Sequence, residues 1–65
     1  MNSTWIESLS VGANEIVFTT KQGRTYSVDV PPSQVDQLGS DWMGAASKGK
    51  FFNSRVAGKF TINEV

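Results

Sequence analysis

A proline pair, Pro31-Pro32, divides this sequence into two parts with different periodicities. Proline cannot donate to a strand ladder, so a strand must stop here. Upstream, Thr25-Tyr26-Ser27-Val28-Asp29-Val30 alternates. Tyr26, Val28 and Val30 share one face, and Thr25, Ser27 and Asp29 share the other. Ile16-Val17-Phe18-Thr19-Thr20 is rich in the β-branched and aromatic residues that strands favour. Lys21-Gln22-Gly23-Arg24 lies between the two runs, and Gly23 can take the positive φ of a tight turn. A β-hairpin is predicted. Trp5, Ile6, Leu9 and Val11 alternate only in part and predict an earlier strand, with Gly12 and Asn14 marking the turn after it.

Downstream of the prolines the period becomes helical. Ser33 stands three residues before Asp36 as a capping-box-like pair, or Pro32 occupies the first helical turn. Val35, Leu38, Trp42 and Met43 form a one-sided apolar stripe. Gly39 and Gly44 weaken such a helix by roughly 1 kcal/mol each relative to alanine, and they leave room for another element to approach. The helix is expected to end near Ser47, with Gly49 as its breaker. Phe51-Phe52, Val56 and Ala57 predict a second helix from about Lys50 to Ala57, closed by a left-handed Gly58. Phe60, Ile62 and Val65 form a last alternating run, an edge strand. The order β-β-β-α-α-β defines an α+β fold in one domain, 1–65: a small antiparallel sheet, two helices and a short C-terminal edge strand.

Size bounds what such a fold can do. A chain of 65 residues hides only about 60% of the surface its unfolded form exposes. Its rings, two Trp, one Tyr and four Phe, exceed what a thin core hides. A homo-oligomer, most simply a two-fold dimer, is therefore expected. Cysteine and histidine are both absent. That removes disulfides, thiolate zinc sites, the cysteine nucleophile and the commonest general base. Asp36 and Asp41 are five apart and do not share a helix face. No enzyme and no cofactor are expected. The start, MNSTWIESLSVG, has no basic region followed by an apolar run, and no apolar stretch nears the roughly 20 residues of a membrane helix. A cytosolic chain with no membrane partner is expected.

Formal net charge is +0, but it is unevenly spread. Residues 1–46 carry Lys21 and Arg24 against Glu7, Glu15, Asp29, Asp36 and Asp41. Residues 47–60 carry Lys48, Lys50, Arg55 and Lys59 and no acid. Such a block is either an anion-facing patch or a solvated surface. Within it, Ser47-Lys48-Gly49-Lys50 has two readings. It is a phosphate-binding turn, with free N–H groups, a hydroxyl, two cations and a glycine that admits a close backbone. Or it is an inter-helix turn in which Ser47 caps the second helix. Of Phe51 and Phe52, about 100° apart on a helix, one is core and the other, taken here as Phe52, is a stacking platform or a self-association surface. Tyr26 either stacks on a base or joins Val28 and Val30 in the core. Trp42 belongs to the core stripe. Asn53 reads a base edge or bonds the preceding loop. Arg55 and Lys59 are solvated, or screen a bound phosphate.

From Tyr26 to Phe60 the chain resembles the KTSC domain, a short module found at the C-terminus of some lysyl-tRNA synthetases. The matching features are Gly23, Tyr26-Ser27-Val28, Val30-Pro31, Val35 to Leu38, Ala46-Ser47-Lys48-Gly49 and Phe51-Phe52-Asn53, with Val56 and Phe60 closing. Val28 stands where the family carries a second tyrosine. The family occurs alone in small bacterial and phage proteins as well as fused to the synthetase. The fusion implies RNA binding by association.

The leading expectation is a non-catalytic module for RNA or a small phosphorylated or nucleotide ligand, carried by Ser47, Lys48, Gly49, Lys50, Phe52, Asn53, Arg55 and Tyr26. A pI of about 6.1 suits a short ligand better than a long phosphate backbone. The alternatives are an oligomeric, phage-type sequestering protein that traps a host nucleotide signal, and a protein-interaction module that uses exposed aromatics.

Overall fold

The computed structural model describes residues 5–65, and the prolines divide it as the periodicity requires. Three strands come first: β1 (Ile6–Val11), β2 (Glu15–Thr20) and β3 (Thr25–Asp29). Then follow α1 (Pro32–Met43), α2 (Lys48–Phe51) running directly into a π-helical turn (Phe52–Val56), and β4 (Thr61–Glu64). All pairings are antiparallel, in the order β1-β2-β3-β4, so the last strand is an edge as expected. The fold is α+β. Among the described residues, no helix is long and apolar enough to cross a membrane.

The β2–β3 hairpin turns where glycine permits. Gly23 has φ 86°. Its amide donates to the Thr20 carbonyl at 3.0 Å, and the Thr20 amide donates to the Arg24 carbonyl at 2.8 Å. Register then places Ile16 opposite Val28 and Phe18 opposite Tyr26. Cross-strand partners share a face, so these four side chains point the same way. β1 alternates imperfectly for a physical reason: the ladder slips between Ile6 and Ser8. An extra residue in one strand resets its phase. Ile6 opposite Thr20 and Leu9 opposite Phe18 thereby reach the same face although they are three apart.

Ile6, Ile16, Phe18, Val28, Val30, Val35, Leu38, Trp42 and Val56 make the core. Each large apolar side chain so buried contributes about 1.5–3 kcal/mol. Trp42 is fully buried. Its Nε1–H donates to the Lys48 carbonyl at 3.2 Å, which pins α2 to α1. Phe51 stacks on it with ring centroids 5.9 Å apart. The opposite sheet face carries Thr25, Ser27 and Asp29, with Ser27 Oγ donating to Glu15 Oε1 at 3.0 Å.

The helices depart from expectation in several places. α1 opens with Pro32 in its first turn and no side-chain cap, so Ser33 and Asp36 form no capping box. It ends at Met43, not near Ser47, with Gly44 as its cap. Met43 therefore lies on the last turn and is 54% exposed, outside the core stripe. Gly49 is not a breaker. It is buried inside α2. The second helix starts at Lys48, not Lys50, and widens to π at Phe52, with the Ala57 amide reaching the Phe52 carbonyl at 2.7 Å. Gly58 takes φ 79° as the left-handed stop. Val65 falls beyond β4 and is 81% exposed.

Gly39 is where β1 approaches α1. A Cβ built there meets Val11 Cγ2 at 2.6 Å. Gly39→Ala is expected to lower stability by about 1–3 kcal/mol through overpacking, despite alanine's better helix propensity. In a Val11→Ala background the clash disappears. The same change should then stabilise by up to about 1 kcal/mol. Urea unfolding of the two singles and the double checks this sign reversal.

Candidate functional site

The antiparallel register gathers four strand ends. Thr20 at the end of β2 lies opposite Ile6 at the start of β1, and the Lys21 amide donates to the Trp5 carbonyl at 3.0 Å. On the other side, Tyr26 lies opposite Glu64. The π-helical turn lays Phe52 over this end of the sheet, its ring centroid 5.2 Å from Phe18 and 5.4 Å from Trp5. The result is an open cavity of about 490 Å³, within the usual range for small-molecule sites.

Four rings wall it: Trp5, Phe18, Tyr26 and Phe52. Tyr26 stacks on Phe18, centroids 5.3 Å apart and planes 24° apart. Trp5 meets Phe18 edge-on at 6.0 Å. Trp5 is 37% exposed, the most solvent-accessible of the four rings. Polar groups line the hairpin side: Thr20, Lys21, Gln22 and Arg24. Thr20 is buried, and its Oγ1 accepts from the Arg24 amide at 3.2 Å. That bond and the Gly23 turn fix where the Arg24 side chain begins. Arg24 Nη1 donates to Glu64 Oε2 at 3.2 Å. Lys21 has no carboxylate partner among the described residues. Flat apolar walls with cations at one rim suit a planar ring that carries negative charge.

Of the residues singled out in the sequence, Tyr26 and Phe52 meet in this cavity. Ser47, Lys48, Gly49 and Lys50 do not line it. They form the start of α2: Ser47 Oγ accepts from the Lys50 amide at 3.4 Å, and the Ser47 carbonyl accepts from Phe51 at 3.0 Å. The Lys48 carbonyl is engaged by Trp42, and the Lys50 carbonyl by Ser54 Oγ at 3.0 Å. Asn53 is exposed. Arg55 sits over the Phe51 ring, 5.2 Å from its centroid, and lies 3.9 Å from Asp41. Arg55 and Lys59 line a separate, polar cleft against α1, with Gln37 and Asp41.

Sequence reasoning placed Trp5, Lys21 and Arg24 only in a strand or a turn, as it did Phe18, Thr20, Gln22 and Ile62, which also line the cavity. Two signals pointed to the first three. Lys21 and Arg24 flank the turning glycine next to Tyr26, and an antiparallel β1 must bring Trp5 back to that same end. Of the seven aromatic side chains, Trp5 is the one that is exposed. The rings by themselves do not call for a second copy, and the shortness of the chain is what remains in favour of one.

No family model matches the chain, and a search of curated proteins finds no similar one.

Proposed function

We propose that this domain is a non-catalytic binding module for a nucleotide-type ligand, and that its site is the aromatic cavity between the β2–β3 hairpin and the π-helical turn. One observation carries this reading: Trp5, Tyr26 and Phe52 surround a space whose rim carries Lys21 and Arg24. An aromatic base finds stacking partners there, worth about 1–3 kcal/mol per base. A phosphate finds an ammonium and a guanidinium. Room for one base, with two cations, favours a single nucleotide or one nucleotide of a short RNA over a long duplex. The likeness to the KTSC domain, which includes Tyr26 and Phe52, agrees with this reading.

A thermal-shift screen of nucleotides, cyclic oligonucleotides and short RNAs tests it. A ligand at a hundredfold excess over its Kd adds about 2.7 kcal/mol to stability. A domain of this size gains about 4–8 °C in Tm per kcal/mol, so a shift above 10 °C is expected for the cognate ligand. No shift with any phosphorylated ligand contradicts the proposal. A shift with cyclic oligonucleotides alone favours a sequestering role.

A further inference from the structure

One of the cavity's two cations is already paired with an acid that stands just outside the lining. Glu64 lies opposite Tyr26 in the β3–β4 register, hence on the cavity side of the sheet. Its carboxylate holds Arg24 at 3.2 Å, and the two side chains are 59% (Arg24) and 50% (Glu64) exposed. An incoming phosphate therefore meets a guanidinium that is already engaged, beside the ammonium of Lys21. The rim is two cations against one carboxylate.

We infer that Glu64 sets the ligand class of this cavity: it competes with phosphate for Arg24 and selects nucleotides with one phosphate over those with several. This rests on the cavity being a nucleotide site. The energetics permit the exchange. An exposed ion pair is worth about 0.2–1 kcal/mol, so a phosphate that binds Arg24 through two parallel hydrogen bonds can displace Glu64. The displaced carboxylate returns to water and leaves no buried charge. It stays close to the bound phosphate, however, and its repulsion grows with the charge the ligand carries. A monophosphate is matched by Lys21 and Arg24. Each further phosphate meets Glu64 without a new cation at the rim.

The test is calorimetric titration of AMP and ATP into the native protein, Glu64→Gln, Arg24→Gln and the double variant. Both side chains are solvated, so the fold should survive, and circular dichroism confirms it. In Glu64→Gln the Kd for AMP is expected to fall about 1.4- to fivefold, the range set by an exposed pair. The Kd for ATP should fall by a larger factor, which moves selectivity toward the triphosphate. With Arg24→Gln in the background the AMP gain should shrink to the part that comes from direct repulsion, because Glu64 then has no guanidinium to withhold. Native protein that binds AMP with an affinity and a selectivity indifferent to Glu64→Gln overturns this inference and leaves the nucleotide site standing. A gain for AMP as large without Arg24 as with it also overturns it. Native protein that binds neither AMP nor ATP overturns this inference, and the nucleotide site falls with it when no other phosphorylated ligand shifts the Tm.

Discussion

Replacing Trp42 with alanine is expected to unfold the domain. Trp42 is fully buried and packs against Phe18, Phe51 and Phe52, with centroids 5.5, 5.9 and 5.9 Å away. It is also the clamp between helices, through its bond to the Lys48 carbonyl. Removing a core tryptophan costs about 3–5 kcal/mol. At about 0.05–0.15 kcal/mol per residue, a domain of this length has roughly 3–10 kcal/mol in total. The loss is therefore comparable with the whole stability. Trp42→Phe keeps most of the volume and forfeits the hydrogen bond, so it should fold with a loss of about 1–2 kcal/mol. Circular dichroism and urea unfolding separate the two variants. A cooperative Trp42→Ala transition within 1 kcal/mol of native would contradict this account of the core.

The second large effect concerns binding. Trp5→Ala is expected to weaken AMP about five- to a hundredfold, the equivalent of one lost stacking partner at about 1–3 kcal/mol. The fold should persist, because Trp5 is exposed and touches the core only edge-on. Lys21→Ala should act differently. It removes a rim charge, so its loss of affinity should shrink as salt rises, whereas the Trp5 effect should not. Calorimetry at low and at physiological ionic strength distinguishes the two. Equal affinities in native protein and Trp5→Ala would contradict the stacking role.

Much of the fold was legible because single residues punctuate it. Gly23 and Gly58 adopt the left-handed conformations their positions suggested. Pro32 starts α1, and Tyr26, Val28 and Val30 turn to the core side as their alternation required. The helix ends were harder to read. Gly44 is the real stop, but Ala45-Ala46 carry no signal against continuing, and Gly49 resembles a breaker until the packing of α2 shows it buried. β1 was blurred by its bulge, which shifts the phase of the pattern.

The candidate site was less legible than the fold. The basic run from Lys48 to Lys59 is conspicuous in the sequence, yet residues 47–50 lie outside the aromatic cavity, with Ser47 capping α2 and the Lys48 carbonyl holding Trp42. Arg55 is turned onto Phe51 and toward Asp41. The cavity instead draws Trp5, Tyr26 and Phe52 from distant positions and takes its cations from the hairpin turn. Strand register and the π-helical turn that carries Phe52 assemble them, and register depends on the bulge in β1 and on the return of β4, neither of which a local pattern encodes.

The most direct test of the central claim is a titration of the isotope-labelled protein with AMP, followed by amide and indole chemical shifts. Progressive, saturable shifts are expected at the Trp5 indole, Lys21, Arg24, Tyr26 and Phe52, with residues 47–50 unmoved. Shifts centred on Ser47 to Lys50, with the Trp5 indole unmoved, would contradict that claim and return the site to the basic turn.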